Sequence, residues 1–266
     1  MTPATPLPGP TQAPPGAGDA LVSVDGLTMA YGDFVVQSDV SFTIRRGSVF
    51  VVMGDSGSGK STLMRHMIGL DRPAAGDVRY DGEAYWAAPE VDRRRIRRRF
   101  GVLFQGAGLL SSMTLSENIT LPLLQHVGVP REEAREVAMT KLALVGLGGF
   151  EDSYPSEVSG GMRNRAGLAR ALALDPDILF LDEPSAGLDP LSARHLDDLV
   201  LELRDSLGAT FVVVTHELPS IYAIADDAIF LDGERHRMVA HGPPGQLRDG
   251  TTDPKVKAFL LRGQYP

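Results

Sequence analysis

Cysteine is absent from the 266-residue sequence. That excludes disulfides, thiolate metal sites and thiol nucleophiles, and it fits a reducing compartment. Long apolar runs are missing too. No stretch approaches the roughly 18 residues of a spanning helix, so any membrane role must work through a partner. Nor is there a basic excess: 34 acidic against 26 basic residues give a net charge of -8. This argues against broad nucleic-acid binding, which runs on cationic surface. The opening "MTPATPLPGPTQAPPGAGDA" has neither a basic segment nor an apolar core, so it does not read as a secretory signal. Residues 1–19 are expected to form a disordered Pro/Gly-rich tail.

A hydrophobic content of 43% and a charged content of 23% suit one globular domain. Short apolar runs recur at Val49–Gly54, Ile178–Glu183, Thr210–His216 and Ala228–Gly233. Each ends in a polar or glycine-bearing turn, and such unbroken runs suit strands buried on both faces of a parallel sheet. Helical periodicity lies between them, at Ser61–Gly69, Arg131–Val145, Met162–Leu174 and Ser192–Leu207. Alternation of this kind predicts an α/β core. Residues 21–48 alternate only in part, as antiparallel strands do.

The stretch "GDSGSGKS" follows an apolar run and opens a helix, matching the phosphate-loop pattern G-x-x-x-x-G-K-S/T in its proper context. Gly54, Gly57 and Gly59 allow close backbone approach. With Asp55, Ser56, Ser58 and Thr62 they form a cradle of amides at a helix N-terminus, suited to phosphates. Lys60 would reach the β- and γ-phosphates, and Ser61 would ligate Mg²⁺. Asp182 and Glu183 end another buried strand. Ligands of open α/β sheets bind beyond the carboxyl ends of the strands, so Asp182 suits the metal shell and Glu183 the base for an attacking water. Together these residues indicate nucleoside triphosphate hydrolysis. In "SEVSGGM", Gly160 and Gly161 are costly inside a helix and so mark the start of one.

Several further motifs, in order, resemble the ATP-binding cassette (ABC) ATPases from about Leu21 to Leu247. Tyr31 in "MAYGD" matches the aromatic that stacks on adenine. Gln105 in "GVLFQG" matches the loop glutamine that touches Mg²⁺ and water. "VSGGM" matches the signature motif, and "SAGLD", ending at Asp189, matches the loop that crosses a dimer interface. His216 in "VVVTHE" matches the histidine that contacts the γ-phosphate. The resemblance implies a P-loop core with a mostly parallel sheet, an N-terminal antiparallel β subdomain and a helical subdomain over about 106–170. The domain would span residues 20–249, with 250–266 as a C-terminal tail that packs on its own core or clasps a neighbour. It also implies that two copies pack head to tail around two ATP molecules. Ser159, Gly160 and Gly161 of one copy would then cap the γ-phosphate held by the other.

Met162, where this family commonly has glutamine, is similar to the ATPases of MCE-type lipid transport systems, including the Mla phospholipid system. So are "GVLFQGAGLLSSMTLSENITLPL" and "DPKVKAFLLRG". That subgroup implies an integral membrane permease, an MCE-domain lipid-binding partner, no nucleic acid, and a place on the cytoplasmic face of the inner membrane. An amino-acid or metal importer, lipoprotein release, and a soluble non-transport cassette ATPase remain the alternatives. The run Arg93–Arg99 is expected to be a solvated helix face near the permease dock.

Overall fold

The computed structural model describes residues 20–262; the expected tail at 1–19 lies outside that range. Two antiparallel strands open the chain, β1 (Ala20–Tyr31) and β2 (Phe34–Arg45), followed by β3 (Val49–Gly54) and α1 (Lys60–Met67). Next come β4 (Ala75–Tyr80), β5 (Glu83–Ala84), α2 (Glu90–Arg97), β6 (Phe100–Leu103), α3 (Leu115–His126), α4 (Arg131–Leu144) and α5 (Gly160–Ala171). The C-terminal half holds β7 (Ile178–Asp182), α6 (Pro190–Leu207), β8 (Thr210–Val214), α7 (Leu218–Ile224), β9 (Asp227–Asp232), β10 (Arg237–Gly242), α8 (Pro244–Gly250) and α9 (Pro254–Leu260).

The main sheet has the order β10-β9-β3-β8-β7-β6. Every pairing in it is parallel except β10 with β9. The four apolar runs of the sequence are β3, β7, β8 and β9, and their unbroken character has a direct cause. Alternate residues face opposite layers, and both layers are dry. Val51, Met53, Leu181, Val213 and Phe230 pack against helices on one face. Phe50, Val52, Phe180, Val212 and Leu231 pack against α1 and the antiparallel sheet on the other. That second sheet runs β2-β1-β4-β5, so β4 adds a third, shorter strand from beyond residues 21–48.

Helices α3 to α5 form a helical layer beside β6. Thr114 starts α3 with a capping box shared with Glu117. The buried Asn118 amide then knits the preceding loop, accepting from Leu110 N and donating to the Leu110, Met113 and Thr114 carbonyls. Lys141 of α4 pairs with Asp175, tying this layer to the foot of β7. The last described helix, α9, packs on the core of its own chain. Val256, Phe259 and Leu260 are buried, and the Phe259 ring meets Phe230 edge-on at 5.1 Å. No helix among the described residues is long and apolar enough to cross a membrane.

Candidate nucleotide site

β3 ends in Gly54, and the chain turns through Gly59 into α1. Glycine is required at both corners. A β-carbon on Gly54, at φ 150°, would lie 2.5 Å from the Leu231 carbonyl oxygen. One on Gly59, at φ 93°, would lie 2.7 Å from Val36. The loop therefore wraps tightly, and its amides and the α1 N-terminus face a common space. Lys60 folds back across it, donating to the carbonyls of Gly54 and Asp55 at 3.0 Å each. Burial pushes the Lys60 amine below its usual range, while Glu183, Asp182 and Asp55 pull it upward.

Parallel pairing of β3 with β8, and of β8 with β7, brings the ends of these strands beside the loop. Ser61 Oγ donates to Asp182 Oδ1 at 2.8 Å. Burial raises the Asp182 carboxyl, and the Ser61 hydrogen bond opposes that rise. Glu183 sits at φ 47°, with its N–H donating to the Val214 carbonyl at 2.8 Å. One carboxylate oxygen lies 2.8 Å from His216 Nδ1, while Oε2 is buried without a partner. Ser61 and Asp182 offer hard oxygen donors at one point, which fits Mg²⁺. The described residues contain no cluster of three His, Cys, Asp or Glu that would hold a metal alone. A cation that retains waters and shares phosphate oxygens needs no such cluster.

Other expected residues stand further out. Tyr31 is exposed at the tip of β1, with its hydroxyl donating to Asp71, which in turn holds Arg65 of α1. Gln105 is exposed beyond β6, and no hydrogen bond ties it to Ser61, Asp182 or Glu183. Ser159 caps α5, accepting from Met162 N at 3.3 Å, and is exposed. Asp189 caps α6 through Leu191 N and Ser192 N, and the Ser192 hydrogen bonds hold its carboxyl below the usual range. Ser159, Gly160, Gly161 and Asp189 thus make no hydrogen bond to the phosphate loop of their own chain.

Two residues near the site were not singled out from the sequence. Gln37 of β2 is fully buried and donates to the carbonyls of Ser58 and Asp232, pinning the phosphate loop to β9. In sequence it is merely the first of three consecutive polar residues, Gln37, Ser38 and Asp39, and nothing there marks it as buried. Asn164 of α5 donates to the Pro184 carbonyl at 2.7 Å, joining the signature helix to the turn after Glu183. Helical spacing alone does not reveal that partner.

The family model described as ABC transporter matches residues 37–186. Among curated proteins, the probable ribonucleotide transport ATP-binding protein mkl of Mycobacterium tuberculosis is 41% identical over 239 residues, covering 90% of this chain and 66% of that protein. The chain thus spans just under two thirds of the length of that relative. The intermembrane phospholipid transport system ATP-binding protein MlaF of Escherichia coli is 38% identical over 240 residues, covering 90% of this chain and 88% of that protein. Among solved structures, CbiO1 of Clostridium perfringens, part of the ABC transporter complex CbiONQ, superposes with a TM-score of 0.79 over 92% of this chain and 96% of its own. At 24% identity it supports the fold alone. The ATP-binding cassette MJ0796, a dimer bound to ADP and phosphate after hydrolysis, has a TM-score of 0.75 at 30% identity, covering 84% of this chain and 98% of its own. An α/β core with a mostly parallel sheet and an added antiparallel sheet is therefore borne out, and the chain belongs to the ABC transporter family as an ATP-binding cassette.

Proposed function

We propose that this chain is the ATP-hydrolysing subunit of a membrane transporter, working as a head-to-tail dimer with two ATP molecules between the copies. The observation that carries this reading is the convergence of Ser61–Asp182 and Glu183–His216 beside one glycine-cornered loop. The loop amides and Lys60 bind the triphosphate, with Lys60 exchanging its two carbonyl partners for phosphate oxygens. Ser61 and Asp182 would hold Mg²⁺, which would supply charge neutralisation for the phosphates. Glu183 accepts a proton from water as the water oxygen attacks the γ-phosphorus, and ADP leaves. His216 orients that carboxylate through its 2.8 Å contact. Tyr31 offers an exposed ring for adenine, and Gln105 would help hold the metal and the attacking water in the closed dimer.

The second copy accounts for the signature. Neither Gly160 nor Gly161 has a positive φ, and an added β-carbon would find its nearest neighbour at 3.5 Å and 3.4 Å respectively. Nothing in their own chain demands glycine there. A γ-phosphate approaching α5 from the partner copy would, and Ser159 with the first amides of α5 would receive it.

A cavity of about 880 Å³ lies beside Phe104, the residue before Gln105, between α2, β6, α3 and α5. Phe100, Phe104 and Leu121 give it an apolar lining, and Arg94, Arg98 and Arg170 give it charge. We assign this groove to the permease. Most of the arginine run is otherwise engaged. Arg93, Arg94 and Arg97 reach Glu90, Arg95 reaches Glu83, and Arg99 reaches Asp81 and Asp177. Phospholipid is the cargo we favour, on the likeness to MlaF over nearly all of that protein. An MCE-domain partner and a place on the cytoplasmic face of the inner membrane belong to the same reading. The name of the mycobacterial relative points instead to ribonucleotides. Affinity capture of the tagged full chain from native membranes distinguishes them. We expect a permease and an MCE-domain protein carrying phospholipid. Recovery of a permease with a soluble solute-binding protein would remove lipid as the cargo and leave the ATPase assignment standing.

A further inference from the structure

Asp55 puts a carboxylate in the second position of a loop that otherwise offers amides and a lysine to phosphate. Its backbone faces the site, since its carbonyl accepts from Lys60 Nζ at 3.0 Å. Its side chain is engaged from elsewhere. Arg262, just beyond α9, pairs with Asp55 Oδ1 at 2.8 Å, and Lys255 Nζ stands 3.9 Å from Oδ2. Lys255 is committed chiefly to the buried Asp232, at 2.8 Å.

The segment that delivers these cations is well anchored. Asp253 caps α9 by accepting from Lys255 N and Val256 N, and it also pairs with Arg235. The Tyr222 hydroxyl donates to the Leu260 carbonyl at 2.8 Å, and the Arg262 guanidinium lies 5.2 Å from the centre of the Phe259 ring. A contact 207 residues apart in sequence therefore rests on a fixed helix rather than on a loose end.

We propose that Arg262 is a positioning residue of the nucleotide site, acting through Asp55. It draws the carboxylate outward and cancels its charge, so that the loop amides and Lys60 meet a polyphosphate without a competing anion. This rests on the reading of Gly54–Thr62 as the phosphate site. The pair is half-exposed, so it adds little to folding stability. Its effect falls on a ligand of several negative charges and is screened by salt.

The test measures binding of a non-hydrolysable ATP analogue with Mg²⁺ to the full-length protein. Arg262→Ala should weaken binding about 3- to 10-fold near 0.05 M salt and less than about 2-fold near 0.5 M, with the melting temperature almost unchanged. Arg262→Lys should retain most of the affinity. In an Asp55→Asn background, Arg262→Ala should have no further effect. Unchanged affinity in Arg262→Ala would overturn the proposal, as would an equal loss with Asp55 already replaced. If the wild-type protein binds the analogue but Lys60→Ala binds it equally well, the phosphate-site reading fails, and this proposal with it.

Discussion

The phosphate loop and the start of α5 both put glycines at a helix N-terminus, yet only the first uses what glycine permits. Gly59 holds φ 93°, and a β-carbon there would press within 2.7 Å of Val36. Gly160 and Gly161 adopt ordinary backbone, with room for a methyl group at 3.5 Å and 3.4 Å. Glycine costs about 1 kcal/mol relative to alanine in a helix interior, and less than that at these first two positions of α5. The phosphate loop is therefore explained from within the chain. The signature is not; on the function proposed above, the phosphate of a partner copy would account for it.

The sharpest way to break this comparison is to disable the complete side. Glu183→Gln should lower ATP turnover by at least about 10²-fold while keeping nucleotide affinity, because only the base is lost. The variant should accumulate as an ATP-bound dimer, seen by light scattering. Near-normal turnover would remove Glu183 from that role. On the incomplete side, Gly161→Asp should abolish ATP-driven dimerisation and leave ATP binding by single copies largely intact. Gly161→Ala makes the finer cut: it should stabilise the isolated chain by up to about 1 kcal/mol in denaturant melts, yet reduce turnover. Full activity in that variant would mean that no phosphate approaches α5. The smallest effect is expected at the groove. Reversing Arg94 and Arg98 together to glutamate should weaken permease capture a few-fold, with ATP affinity of the free chain unchanged, since neither touches the loop.

Legibility followed sequence distance. The loop, Asp182–Glu183 and the four buried strands were readable because each is a contiguous stretch whose pattern carries its own reason. β6 carries no such pattern, as its four residues include Gly101 and bury only alternate positions. β4 shows two buried residues in six and resembles a turn region until β1 is placed beside it. Of the site, the tie from Gln37 to Ser58 and the hold of Arg262 on Asp55 depend on pairings across the fold. No local period announces such pairs. The C-terminal helix is recognisable from Val256, Phe259 and Leu260 on one face, but the surface that this face covers, with Phe230 beneath it, depends on a pairing across the fold.

Glu183 carries a consequence of a different kind. Its φ of 47° lies in the left-handed region, where a side chain costs on the order of 1–3 kcal/mol. The residue that would relieve this strain best is glycine, which has no carboxylate. If Glu183 is the base proposed above, resilience to heat and catalytic competence conflict at this position. On that reading, a selection that rewarded thermal stability alone would drift toward a firmer, silent protein.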